Sequence, residues 1–333
     1  MRNVAEINLN KLLYNAKLIK RRLPDKVKLC AVVKADAYGH GAAVCAATLY
    51  KTVDLFAVAI VEEGVQLRQS GIDKDILVLI PAEKKELDTA IKNRLTLTVQ
   101  SESDVLAIER ACAKNKTRAK VHIAVNTGMN RLGADDNELL SLCSALKKCK
   151  YVFAEGVFSH YACPENDRIR KRALKKFDMA VAVVRRVNPD VIRHISASGG
   201  FIKGDYLDMV RIGILLYGYK PFKSDFPVKP IMKVKSRAVA KRTVKKGELA
   251  GYGETPVGKN TAFTVVRAGY ADGLTRRKVK GLVNNRCMDT SLIEGDFDGF
   301  IVKDADELAD HTGTISYEVL CTCTTRADKK YIR

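Results

Sequence analysis

A lysine that closes an apolar run is the first residue in this chain with obvious covalent potential. Lys34 follows Val27, Leu29, Ala31, Val32 and Val33, and the segment Tyr38-Gly39-His40-Gly41 comes soon after. A buried strand ending there would deliver an amine to the mouth of a loop. In such a place it can shed its proton and act as nucleophile or base. The plainer reading of a strand-end lysine is a side chain that reaches into water. Further polar groups stand at the ends of later apolar runs: Arg131, His160 and Ser198 just beyond them, and Arg211 inside one. Tyr252 lies between Gly251 and Gly253, which by itself reads as a turn tyrosine.

The elements that would position these groups alternate regularly. Short β-branched runs read as strands over residues 28–33, 55–59, 76–80, 95–99, 120–125, 153–159, 191–196 and 208–211. Helical periodicity falls between them, at 9–23, 62–69, 101–114, 136–147 and 169–187. This alternation implies a parallel (β/α)8 barrel, which collects active groups at the C-terminal ends of its strands. A doubly wound sheet would also alternate, but the strand number and the lack of a GxGxxG fingerprint disfavour it. After Pro221, Pro227 and Pro230 the pattern changes, with strands expected at 234–243, 262–268 and 321–325 among glycine-rich turns. The expected division is a barrel over residues 8–222, with residues 1–7 and 223–333 forming a β-rich domain.

The 333 residues are 47% hydrophobic, enough for a sizeable core. No apolar run approaches the ~18 residues that cross a bilayer, and the first ten residues carry no apolar leader core. Nine cysteines without metal-ligand spacing read as reduced thiols, so a cytoplasmic location is expected and no metal site. The formal charge of +20 is spread along the chain in pairs such as Arg21-Arg22 and Lys147-Lys148. It reads as a solvated basic surface, with a membrane surface or polyanion as the alternative; no nucleic-acid motif accompanies it, and no partner of that kind or membrane segment is expected.

The segment from Ala31 to Gly41 resembles the pyridoxal-phosphate attachment motif of the alanine racemase family, with Lys34 at the attachment position. Further blocks follow in family order. They are Asn126-Thr-Gly-Met-Asn-Arg131-Leu-Gly, Ser159-His160-Tyr161, Asp208-Met-Val-Arg211-Ile-Gly213, Gly251-Tyr252-Gly253, Gly269-Tyr-Ala-Asp-Gly273 and Cys287-Met-Asp289. The resemblance implies a racemase that uses pyridoxal 5'-phosphate. Lys34 and Tyr252 would be its two acid/base groups, one on each face of the substrate, with Tyr252 coming from the partner of a homodimer. His160 and Arg211 would orient and polarise the cofactor. Tyr38, Ser198 and the backbone of Gly213 and Ile214 would hold its phosphate, the last two at a helix start. Arg131 would pair with the substrate carboxylate; Met288 and Asp289 would line the substrate mouth, and Tyr270 the entry path. Because guanidinium is a donor that keeps its proton, Arg211 would leave the cofactor a restrained electron sink, which suits racemisation more than transamination.

The chain departs from the family pattern in several places. Ala124 occupies the position of a carbamylated lysine in many members, Asn126 that of an aspartate, and Ala197-Ser198-Gly199-Gly200 replaces N-S-A-A. A bound chloride or water is expected to compensate near Arg131. Aligning Ile315-Ser-Tyr317-Glu-Val319 with I-N-Y-E-V puts Thr325 where a tyrosine is usual. This opens room beside the substrate and offers a hydroxyl. The combination resembles the serine racemase domain of vancomycin-resistance clusters. The expected activity is therefore interconversion of L- and D-alanine, with serine alongside or preferred, supplying D-amino acid for cell-wall peptidoglycan. A non-catalytic pyridoxal-phosphate carrier and a decarboxylase on the related architecture are disfavoured by the β-rich domain and by the lysine/tyrosine pair.

Overall fold

In this computed structural model, residues 3–254, 256–276 and 286–333 are described. Their strands, in chain order, are β1 (Asn3–Asn8), β2 (Lys28–Val32), β3 (Leu55–Val58), β4 (Ile76–Val78), β5 (Leu97–Val99), β6 (Ala119–Ala124), β7 (Val152–Phe158), β8 (Ile192–His194), β9 (Met209–Ile212), β10 (Met232–Lys235), β11 (Ala238–Val244), β12 (Thr261–Val266), β13 (Ser291–Glu294), β14 (Phe300–Val302) and β15 (Ala327–Ile332). Packing separates the chain into two units. One takes Leu13–Asp36 and Ala42–Val228; the other takes the chain up to Leu12, Ala37–Gly41 and Lys229–Arg333.

The larger unit is a parallel (β/α)8 barrel. Its strands pair in the order β4-β3-β2-β9 and β5-β6-β7-β8. The two arcs meet through a parallel bridge, Leu77 to Thr96. On the other side, Asp208 N–H donates to Arg193 O at 3.1 Å and Arg211 N–H to Ser196 O at 3.0 Å. Parallel strands covered on both faces are near-continuously apolar, and Leu29, Cys30, Ala31, Phe56, Ala57, Ile76 and Leu77 are fully buried. The intervening helices start with local caps: the Ser101 hydroxyl accepts the Asp104 N–H at 3.2 Å, and Asn166 accepts from Ile169 at 3.1 Å.

The second unit holds two sheets. In one, β1 pairs antiparallel with β10 and parallel with β15, while β14 flanks β10. In the other, β11, β12 and β13 form an antiparallel meander. The strand expected over 234–243 is two strands in different sheets, broken at Ser236-Arg237. The strand expected over 321–325 does not form. Ser316–Thr322 is a helix followed by a turn, because Val319, Leu320 and Cys323 are buried at helical spacing and this outweighs the β-branched threonines.

Candidate functional site

Lys34 ends the run of β2 and opens the helical turn Lys34–Tyr38, half-buried at the C-terminal end of the barrel strands. The turn is left-handed: Ala35, Asp36, Ala37 and Tyr38 have φ of 51°, 52°, 56° and 53°. Each such residue costs roughly 1–2 kcal/mol relative to the right-handed form, so the surroundings must hold the turn. Glu63 accepts the Ala35 N–H at 2.7 Å with one oxygen and the Ala59 N–H at 2.7 Å with the other. Asp36 accepts from Ala42 N–H at 2.7 Å. Gly39, with φ 82°, completes the reversal; a Cβ there would lie 2.5 Å from Leu320 O. A turn this constrained fixes the direction in which the lysine leaves the strand.

Arg211, inside β9 and 3% exposed, holds the barrel mouth together. Its guanidinium donates to Ser159 O at 2.6 Å, His194 O at 3.0 Å and Ile195 O at 3.3 Å. It also reaches His194 Nδ1 at 2.7 Å and His160 Nδ1 at 3.4 Å. Burial pulls its pKa down to about 10, so it stays charged at neutral pH. Since arginine only donates, His194 Nδ1 accepts, and the ring proton of His194 sits on Nε2. Nε2 meets His122 Nδ1 at 2.7 Å, and His122 Nε2 faces Glu155 at 3.4 Å. Proton positions are thus set along the chain from Arg211 through both histidines to a carboxylate. Burial alone would raise the Glu155 pKa, but hydrogen bonds from His122 and Lys120 bring it to about 2. Lys120 lies 2.7 Å from Glu155 and 3.2 Å from Asp75.

His160 stands next to Arg211 after β7. Burial first, then the charges of Arg211, Arg131 and Lys34, lower its pKa to about 3. It is therefore neutral at pH 7, in the field of three cations, and this part of the barrel favours an anion. Arg131 is exposed on the loop after β6. Asn126 serves that loop by accepting the N–H groups of Gly128 and Asn130 at 3.0 and 3.1 Å and donating to Asn130 and Asp135 at 3.0 Å. Ala124 is buried in β6. Ser198 is buried at the start of the short helix Ser198–Ile202. Gly213 and Ile214, expected at a helix start, instead begin successive tight turns, Leu216 N–H to Gly213 O at 2.8 Å and Tyr217 N–H to Ile214 O at 3.1 Å. The apolar run Ile214–Tyr217 is pinned in the core, where turns following β9 satisfy its backbone.

The remaining candidates lie in the β-rich unit. Tyr38 is buried with its ring 6.0 Å from that of Tyr317, and burial raises its pKa. Tyr252, Tyr270 and Met288 are 64%, 41% and 53% exposed, so none is core filling. Tyr270 and Met288 come together because Tyr270 N–H donates to Cys287 O at 3.1 Å and Ala271 N–H to Met288 O at 3.0 Å. Asp289 pairs with Arg326 at 2.7 Å. Thr325 sits in the turn after the helix and donates its hydroxyl to Thr322 O at 2.8 Å.

Sequence reasoning missed His194, His122, Glu155 and Glu63. The two histidines carried a usable signal, since each stands among apolar neighbours inside a barrel strand, a position that demands a buried polar partner. Glu63 reads locally as a helix-start cap, accepting from Ala59 four residues away, while its second contact, to Ala35, spans 28 positions and forms only in the folded barrel.

Fold and site together define a two-unit (β/α)8 barrel protein whose mouth gathers a lysine, two arginines and a neutral histidine. Comparison with known proteins carries this further. The family model for the alanine racemase N-terminal domain matches residues 7–221, and that for the alanine racemase C-terminal domain residues 231–331. An alanine racemase of Geobacter sp. (strain M21) is 34% identical over 97% of this chain and 96% of its own. The structure of alanine racemase from Clostridium difficile 630 is 32% identical, with a TM-score of 0.92 over 100% of this chain and 96% of that one. That of Bacillus anthracis alanine racemase with bound L-Ala-P is 26% identical, with a TM-score of 0.90 over 100% and 95%. The chain belongs to the alanine racemase family and is an isomerase of the alanine racemase type.

Proposed function

We propose that this racemase holds pyridoxal 5'-phosphate at Lys34 and interconverts L- and D-alanine, and L- and D-serine, by proton exchange on two faces. The single observation that carries the reading is the constrained turn that aims Lys34 from the end of β2 beside a mouth occupied by Arg211 and neutral His160. The donor set fits the cofactor: an amine for its aldehyde carbon, a donor-only guanidinium for its ring, and the Ser198 hydroxyl for its phosphate, in a field that favours anions. Ser198 is 4% exposed, so such a contact would be largely shielded from water.

When bound, pyridoxal phosphate supplies a conjugated ring that takes up the electron pair left at Cα as its proton departs. Lys34 moves that proton on one face. The hydroxyl of Tyr252 of the partner subunit serves the opposite face, so the working unit is a homodimer. Met288 and Asp289 of the partner subunit line the substrate mouth, and Tyr270 the path to it. Arg211 orients the ring and keeps its own proton, while Arg131 draws in the substrate carboxylate. Tyr38 adds a hydroxyl to the phosphate contacts.

Thr325 supports the serine reading. Its hydroxyl spends its proton on Thr322 O, which leaves lone pairs free to accept from a serine side chain. A tyrosine in its place would fill that room. The product would be D-amino acid for peptidoglycan, made in the cytoplasm; among the described residues no helix is long and apolar enough to cross a membrane.

The test combines two readouts on the purified chain. Borohydride should fix the cofactor's mass on the peptide containing Lys34, and both L-alanine and L-serine should take up solvent deuterium at Cα. Cofactor without exchange would favour a pyridoxal-phosphate carrier instead; exchange into alanine alone would remove serine from the reading.

A further inference from the structure

We propose that the outward face of the helix Asp167–Val184 docks this enzyme onto anionic lipid bilayers. The helix splits cleanly into two faces. Arg170, Ala173, Phe177, Ala180, Val181 and Val184 are buried against the barrel. On the other side Arg168, Lys171, Arg172, Lys175 and Lys176 are all exposed. At about 100° per residue these five cations fall within an arc of about 140°, over a length of about 12 Å. The buried Arg170 is matched by Asp205 and Asp167, and Lys203 also pairs with Asp167. None of the five outward cations joins an ion pair among the described residues. The helix's acidic residues, Asp167 and Asp178, lie at one edge of the arc.

A net charge of +20 needs no such clustering, so the concentration of five unpaired cations on one face calls for a complement. Two exposed apolar side chains on the same face indicate which. Ile169 is 45% and Met179 65% exposed, flanking the cations where they can enter the headgroup boundary. A single-stranded nucleic-acid surface would instead be expected to offer aromatic side chains for stacking, and the one aromatic residue of this helix, Phe177, is fully buried; the apolar pair beside the cations favours a lipid surface over a duplex, which needs cations alone. Ile169, Arg172 and Lys176 also border a cavity of about 340 Å³ that His160 lines, whereas Lys171, Lys175 and Met179 are not among its lining residues. Variants at these last three therefore test docking away from the catalytic machinery.

The experiment uses the full chain saturated with pyridoxal phosphate, sedimented with vesicles of pure phosphatidylcholine or with about one-third phosphatidylglycerol, at about 50 and about 300 mM salt. Binding is expected to the phosphatidylglycerol vesicles alone and to weaken at the higher salt. Each cation is expected to contribute about fivefold, so K171E/K175E should lower partition at least about 25-fold. The same variant should keep wild-type racemase turnover, which shows that it folds. Replacing Met179 by Ser should lower vesicle binding without altering its salt dependence. Equal binding to both vesicles, or full binding by K171E/K175E, would overturn the proposal. So would displacement by duplex DNA with no effect of Met179→Ser, which would reassign the face to a polyanion.

Discussion

Replacing His160 by glutamine should remove a specific part of the protein's acid sensitivity. The folded His160 has a pKa of about 3, lowered by burial and then by Arg211, Arg131 and Lys34, whereas an unfolded histidine titrates near 6.5. The unfolded chain thus binds a proton below pH 6.5 that the folded chain refuses. Stability from this residue is full above pH 6.5 and is lost as pH falls towards 3. At pH 5 the loss amounts to about 2 kcal/mol, and at pH 8 to almost nothing. His194 acts in the same direction, since burial and then Arg211 hold it neutral, so the absolute slope of the wild type is steeper. The difference between wild type and His160→Gln isolates one residue. Urea unfolding at pH 8 and pH 5, at equal protein concentration, should show the stability gap moving by about 2 kcal/mol in favour of the variant at pH 5. A gap that stays constant across this range would refute the electrostatic picture of a neutral histidine among cations.

Further outcomes can be stated for other parts of the molecule. Gly39→Ala places a Cβ 2.5 Å from Leu320 O at a φ of 82° and should cost more than about 2 kcal/mol by thermal or urea unfolding; an unchanged midpoint would show the turn to be relaxed. Thr325→Tyr should lower the serine-to-alanine ratio of kcat/KM by roughly tenfold, and an unchanged ratio would remove Thr325 from specificity. Glu155→Gln loses the ion pair with Lys120 while its amide oxygen can still accept from His122. Its folded pKa of about 2 means the carboxylate contributes above the unfolded value near 4.3 and loses that contribution as pH falls towards 2. The variant should accordingly be less stable than wild type at pH 7 by calorimetry, with the gap narrowing below pH 4.

The barrel was readable because each strand is a short β-branched run between helical stretches, as Ala119–Ala124 and Glu102–Lys114 illustrate. Ends slip by one to three residues, for instance at Ser101, which caps its helix, and at Val184, where the helix expected to reach 187 stops. A strand is expected at 321–325 because threonines and cysteines alternate there, but the burial of Val319 and Cys323 at a spacing of four belongs to a helix and the turn that ends it. The left-handed turn after Lys34 left no mark in composition; Ala, Asp, Ala and Tyr adopt it only because Glu63, Asp36 and the closeness of the chain at Gly39 hold it. Lysine, histidine and arginine at strand ends were legible as candidates. Their linkage through His194 to His122 was not, since the two rings lie 72 positions apart and meet only when the barrel closes.

The most direct measurement follows Cα deuterium uptake and inversion separately, starting from pure L-alanine and pure D-alanine, in wild type and in Tyr252→Phe. With a lysine on one face and a tyrosine on the other, the variant should lose inversion by at least about a hundredfold, while Lys34 still exchanges the proton of one enantiomer with retention. Equal inversion by wild type and variant, or loss of exchange from both enantiomers alike, would contradict two-faced proton transfer by Lys34 and Tyr252.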